Sequence, residues 1–522
     1  MHSIYRHLTC LCSVVCALFF AGCTTGASRL SNLTPFEPVP GKYTHTWDKK
    51  THPFTGAAVI DADGDGRYEI FVGGGEGQED FLFSYQGGGL QNLISKTGLS
   101  SQAATYGVRA IDMDSDGDTD LVVARDDGVY LYLNRGAHSM AVQKKKVPVS
   151  LPERAVPFDV AVGDIDRDGD ADLYISTFVA FSSFKSATFN DPDHAKTNRL
   201  LANNGDLTFT DITDISGTQG KNNTFCAAFV DLNTDGWQDL VVAQNTGEIE
   251  IFRNLKGGTF QEVPTRSGYG FWMGLGVGDI DNDGDQDLFF PNVGTSIPEF
   301  LTRGDILESQ RHTHDWLLMR NDGNFSFSDV TNEWIPQGEG FAWGGVFEDV
   351  NLDGYLDLFV AQNYIKWPPH KVIRLAGRAY IQNPKSAIPR YEPAPQLGLS
   401  NPYFGQSSIV VDLNQDGRQD FIWLNMDGPI RAFLNRSRER FITIVLPDDL
   451  KTLGARVYLE TDKGRSYTRQ VISGQGYMTD QTPDLTFGLG PHTQALKLVV
   501  IFPDGTSKTL HNPPVNTRLT LP

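Results

Sequence analysis

The strongest constraint on how this chain folds is a nine-residue pattern that it repeats seven times. Written Asp-x-Asp/Asn-x-Asp-Gly-x-x-Asp/Glu, it starts at residues 61, 112, 164, 231, 279, 349 and 412, with neighbouring starts 48 to 70 residues apart. Self-similarity at such a period marks an array or a propeller. In "VGDIDRDGDADLYIS", residues 162–176, five aspartates fall within nine positions. Like charges this close repel one another, so the turn is unstable unless a cation sits inside it.

The flanks say what the loops connect. Apolar runs precede and follow each copy, as in "DVAVG" at 159–163 and "LYIS" at 173–176, and read as two strands about a glycine-containing turn. A third strand and turn recur in "LYLNRG" at 131–136, "LLANNGDLTF" at 200–209 and "IFRNLKGGTF" at 251–260. Three or four antiparallel strands per repeat make one blade. The expected fold is all-β: a seven-bladed β-propeller over residues 41–440, then a small β-rich C-terminal domain over 441–522.

The donors fall at four positions. Position 1 is Asp61, Asp112, Asp164, Asp231, Asp279, Asp349 and Asp412; position 3 is Asp63, Asp114, Asp166, Asn233, Asp281, Asn351 and Asn414. Position 5 is Asp65, Asp116, Asp168, Asp235, Asp283, Asp353 and Asp416; position 9 is Glu69, Asp120, Asp172, Asp239, Asp287, Asp357 and Asp420. Oxygen donors at this spacing, with Gly at position 6 for a sharp turn, can wrap Ca²⁺, and position 7 would add a backbone carbonyl. The loop is no EF-hand, because position 12 is never Glu and the flanks read as strands. Turn-capping by Asp accounts for a single copy without metal, but not for seven. Up to seven structural Ca²⁺ are expected, bringing +14 against a formal net charge of −20.

These repeats resemble the FG-GAP, or VCBS-type, repeats of integrin α-chain propellers. Beyond them, "GARVYL" at 454–459, "SGQGYMTDQ" at 473–481, "FGLG" at 487–490 and "FPDG" at 502–505 resemble an ASPIC/UnbV-type domain. Together the two resemble the architecture of the cartilage acidic protein family, with Phe502-Pro503 where that family commonly has Trp-Pro. The resemblance implies a propeller with calcium loops and names no activity.

The N-terminus reads as an export signal over residues 1–22. Arg6 precedes an apolar run, Leu8 to Ala21, that is too short to span a bilayer. "FFAGC" resembles a bacterial lipobox, with Phe20 where an aliphatic residue is usual, and so places a lipid on Cys23 and a tether over 23–40. The expected location is the bacterial cell envelope, with lipid anchoring at the outer membrane. Cys10, Cys12 and Cys16 would leave with the signal, so Cys226 has no disulfide partner. It stands five residues before its loop, where other repeats carry Gly56, Gly107, Gly274, Gly344 and Ser407, and reads as a small buried filler. With 64 acidic against 44 basic side chains, no nucleic-acid partner is expected.

If the aspartate turns share one face of the ring, the loops after the next strand share the other. Three are long, at 177–199, 292–316 and 363–378, and they gather His194, Arg303, His312, His314, Trp367 and His370 as a candidate ligand face. His312 and His314 alone define no metal site and read as surface or hydrogen-bonding residues. The expected function is a binding or adhesion module for a protein or glycan, with segment 41–48 closing the ring as an outer strand. The alternative is a polysaccharide lyase or hydrolase, which would need a carboxylate pair, or a His/Tyr/Arg set, converging on that face; convergence of His194, Arg303, His314 and Asp315 would favour it. None of the sequence signatures sought for hydrolases or nucleotide-binding loops is present.

Overall fold

Each aspartate loop joins the first two strands of its own antiparallel sheet. In the third repeat Ala155–Gly163 runs to the loop, Asp172–Val179 returns, and Arg199–Asn203 and Phe209–Asp211 follow in order. Val160, Val162, Leu173 and Ile175 are buried because these strands pack on both faces, which is why the runs are apolar throughout rather than alternating. The computed structural model describes residues 36–136, 141–220, 222–336, 339–362, 375–383, 385 and 390–521. Among them are seven such sheets, one per loop, six of four strands and the first of five.

The first strands meet in cyclic order. Ala57–Ile60 contacts Thr105–Ile111, which contacts Ala155–Gly163, and that in turn contacts Thr224–Val230. Gly276–Gly278 contacts Ala342–Glu348, which contacts Gly405–Val411, and the last returns to Ala57–Ile60. Between the fourth and fifth sheets, Cys226 and Ala228 share a cluster with Leu275 and Val277. This is the geometry of a β-propeller around an axis.

Crowding near the axis explains the small-residue position. A Cβ on Gly56 would lie 1.5 Å from the carbonyl oxygen of Tyr106, and Cys226 in the same register is fully buried. The third repeat breaks the rule with Asp159, whose carboxylate takes Arg109 Nη2 at 2.8 Å with both side chains fully buried.

Ring closure differs from the expectation. The fourth strand of the seventh sheet is Glu37–Val39, paired with Arg431–Leu434, so part of the expected tether belongs to the propeller. The expected closing segment 41–48 contributes one bridge, Thr44 to Pro429. Pro38 and Pro40 made residues 36–40 read as linker. An outer strand needs ladder donors on one side only and so tolerates proline.

The C-terminal domain is built from two sheets. Phe441–Val445 lies between Leu485–Gly488 and Thr517–Thr520, and Arg456–Thr461 lies between Ser466–Gln470 and Ala495–Ile501. The domain covers the aspartate-loop face. Asp112 N–H donates to Asp448 O (3.2 Å), Gly490 N–H to Leu352 O (3.0 Å) and Arg167 Nη2 to Pro503 O (2.8 Å). Ile111 and Met113 of the second repeat share one apolar cluster with Ile442, Leu459 and Val500.

Residues 473–484 of this domain run into the propeller axis. Thr479–Asp480 pair in parallel with Ala57–Ala58, and Gly476 exchanges two backbone hydrogen bonds with Leu275. Gln475 Oε1 accepts from Phe347 N–H (2.8 Å), Gln481 Oε1 from Val410 N–H (2.9 Å) and Asp480 Oδ2 from Ala110 N–H (2.9 Å). At the far end Tyr477 packs against Phe54, Phe225 and Trp343. The stretch "SGQGYMTDQ" therefore fills the axis and satisfies inner-strand N–H groups of five sheets, which could not stay buried without partners.

Candidate metal centres and the long-loop face

All seven loops share one backbone. The position-6 glycines have φ of 81° to 104°, a region closed to most side chains. Their N–H groups bond the position-1 carboxylates at 2.8 to 3.2 Å. Position 4 is left-handed too, with φ of 57° to 68°, although its residue varies among Gly64, Ser115, Arg167, Thr234, Asn282, Leu352 and Gln415. Each position-5 carboxylate accepts the N–H of position 7 at 2.8 to 3.1 Å.

A further set of residues, not singled out in the sequence, ties the loops together. Asn134, Asn203, Asn254, Asn321, Gln382 and Asn435 stand at or next to the ends of the third strands. Their N–H groups bond the position-9 carboxylate of their own loop at 2.6 to 3.0 Å. Five of their side-chain amides, all but that of Asn203, reach the position-2 carbonyl of the preceding loop at 2.7 to 3.2 Å. The signal was present in the Asn that recurs in "LNRG", "NNG" and "RNLKGG", between the strand and its turn.

The donor sets fit a calcium ion. Carboxylate oxygens of Asp61, Asp63 and Glu69 lie within 4.8 Å of one another, as do those of Asp112, Asp114 and Asp120. The same holds for Asp164, Asp166 and Asp172, and for Asp279, Asp281 and Asp287. One Ca²⁺ at 2.3–2.6 Å from each ligand spans that distance. Asp114, Asp164 and Asp281 each keep a buried Oδ1 without a hydrogen bond, and Asp357 a buried Oδ2. Burial pushes Asp120, Asp172 and Asp239 up to about 8, so without a cation these groups hold protons. The structure brings positions 1, 3 and 9 together and leaves position 5 outside these clusters.

The long loops lie at the opposite ends of the second strands. Asp305 accepts the N–H groups of Phe189 (2.5 Å) and Asn190 (3.1 Å), and Asn190 Nδ2 donates to Gln310 (2.9 Å). Loops 177–199 and 292–316 are thereby latched to each other across the fourth sheet. His194 is corrected from a ligand-face residue to a structural one. It is buried, Asn223 Nδ2 lies 3.0 Å from its Nδ1, and its Nε2 accepts from Lys185 N–H (3.1 Å). The His312 and His314 rings are tilted by 37° with centroids 5.8 Å apart; His312 Nδ1 is 3.7 Å from Glu299, and His314 Nε2 is 3.7 Å from Asp315. Arg303 is exposed. Among the described residues no contact joins His194 to Arg303, His314 or Asp315, whereas His314 lies against Asp315. Trp367, His370 and Cys23 lie outside the described residues.

Glu250 begins the third strand of the fourth sheet at the long-loop end. Its Oε2 has no hydrogen bond, and burial pushes the carboxyl from its ordinary value of 4.5 up to about 7. The native state therefore keeps a proton that the unfolded chain releases, so stability falls as pH rises from about 4.5 to 7. Glu250→Gln is expected to stabilise the protein by about 2 kcal/mol at pH 8 and hardly at all at pH 4. Denaturant midpoints at the two pH values check this, and equal shifts would assign the effect to packing instead.

Residues 61–123, 112–175, 186–242 and 231–290 match the FG-GAP-like repeat family, and residues 449–522 match the ASPIC and UnbV family. The chain is 24% identical over 479 residues to cartilage acidic protein 1 of Xenopus tropicalis, covering 86% of this chain and 61% of that protein. It is 24% identical over 477 residues to the Homo sapiens protein of that name, covering 86% and 60%. The chain thus spans about three fifths of the length of these curated relatives. An Agrocybe aegerita lectin that recognises non-reducing terminal N-acetylglucosamine superposes with a TM-score of 0.43 at 18% identity, over 73% of this chain and 94% of that one.

Proposed function

From a chain that carries FG-GAP-like repeats and a C-terminal ASPIC and UnbV domain, and is homologous to cartilage acidic protein 1, we propose a calcium-stabilised binding module anchored by lipid on Cys23 to the bacterial cell envelope. Its long-loop face contacts a protein or glycan. The observation that carries this reading is the division of the two faces. The C-terminal domain lies on the ion loops and fills the axis, so the opposite face is the one open to a partner. That face is built rather than slack, because Asp305 and Asn190 latch two of its insertions together. Rigid loops lose less freedom on binding than mobile ones. Calcium would hold the loops of the other face in shape by neutralising their carboxylates, without contacting the partner.

The test uses a glycan array and an extract of envelope proteins as probes. Wild-type binding that disappears in a variant carrying Arg303→Glu and His314→Glu, with unchanged melting, supports the assignment. Equal binding by both proteins would remove this face from the function.

A further inference from the structure

The seven loops differ in their oxygen donors. Loops one, two, three and five, starting at 61, 112, 164 and 279, have four carboxylates each, and in each of them three of these converge. Loops four, six and seven, starting at 231, 349 and 412, carry Asn at position 3. In loops six and seven that amide already does part of a cation's work. Asn351 Nδ2 donates to Asp353 Oδ2 at 3.3 Å, and Asn414 Nδ2 to Asp416 Oδ2 at 3.2 Å.

The C-terminal domain reaches these three loops, as it also reaches loops one, two and three through Arg518 Nη1 to Gly66 O (3.3 Å), Asp448 O and Pro503 O. Arg456 Nη2 donates to Thr234 O at position 4 of loop four (3.3 Å). Gly488 N–H occupies Asp349 Oδ2, the position-1 oxygen of loop six, at 2.9 Å. Thr443 Oγ1 donates to Gly417 O of loop seven (2.5 Å). Asp357 Oδ2 in loop six stays unpartnered, which leaves that loop able to take an ion weakly.

We propose that the loops are of two kinds: one, two, three and five hold Ca²⁺ tightly, whereas four, six and seven, with Asn at position 3, hold it weakly. This rests on the calcium reading above and deepens it. One carboxylate fewer in all three loops, and in loops six and seven an amide donor turned toward position 5, oppose a cation. Ligand charge sets the affinity of such loops, so the two kinds should differ by at least ~10-fold in Kd.

The experiment is a calorimetric Ca²⁺ titration of the ion-stripped whole chain. Two phases are expected, with four ions in the tighter one. Asn233→Asp, Asn351→Asp and Asn414→Asp together should raise the tight count towards seven. Should that triple variant fail to fold, Asn233→Asp with Arg456→Gln should raise it from four to five. One uniform phase of seven ions, or an unchanged tight count in the folded variants, overturns the two kinds and leaves calcium binding intact. No uptake at all overturns the calcium reading with it.

Discussion

Chelating calcium from the whole chain is expected to lower its melting temperature by ~10 °C relative to a calcium-saturated sample. The size follows from linkage. An ion that binds only the folded state contributes about 2.7 kcal/mol per loop at a concentration a hundredfold above its Kd. Four converging carboxylate sets spread that gain over an unfolding entropy of about 2.1 cal/mol/K per residue. The cause is local: five aspartates in the third loop repel one another, and the buried oxygens of Asp114, Asp164 and Asp281 have no donor to satisfy them. Differential scanning calorimetry with millimolar calcium, then with excess chelator, reads the shift. A melting temperature that does not move would mean that protons and backbone amides suffice in these loops.

The second large effect lies on the axis. Asp480 is 3% exposed and takes three hydrogen bonds, from Ala110 N–H (2.9 Å), Gly474 N–H (2.9 Å) and Ser473 Oγ (3.0 Å). It also lies near the fully buried Arg109, whose positive charge lowers its pKa against burial. Asp480→Ala would strand those donors and leave Arg109 with Asp159 alone, which should destabilise the protein by about 3–5 kcal/mol. Asp480→Asn retains an acceptor for Ala110 and should lose distinctly less. Guanidinium midpoints of the two variants measure the difference. A loss under about 1 kcal/mol for Asp480→Ala would show that segment 473–484 merely occupies the axis without organising it.

Much of this was legible because the repeat is local. An aspartate loop is a few residues of chain with its own turn chemistry, so seven copies announced seven strand pairs and their shared face. The small residues at Gly56, Gly107 and Cys226 likewise reported crowding, which the 1.5 Å approach of a Cβ on Gly56 to Tyr106 makes concrete. His194 misled because a histidine in a polar insertion looks the same in sequence whether it meets solvent or, as here, Asn223 and the backbone of Lys185. Glu37–Val39 was passed over because prolines usually mark linkers, and only its place at the outer edge of a sheet makes them harmless.

By itself the sequence determined the repeating unit, its calcium-compatible oxygens and the two-part architecture, since all three depend on residues close together in the chain. What covers which face was decided by tertiary structure alone. Gln475, Asp480 and Gln481 sit far along the chain from Phe347, Ala110 and Val410, and nothing local to either partner states that they meet. Inner-strand N–H groups lining a propeller axis must find acceptors wherever the fold can bring them. Here a loop of the C-terminal domain supplies them, and in doing so commits one face of the ring to that domain and leaves the other uncovered by it.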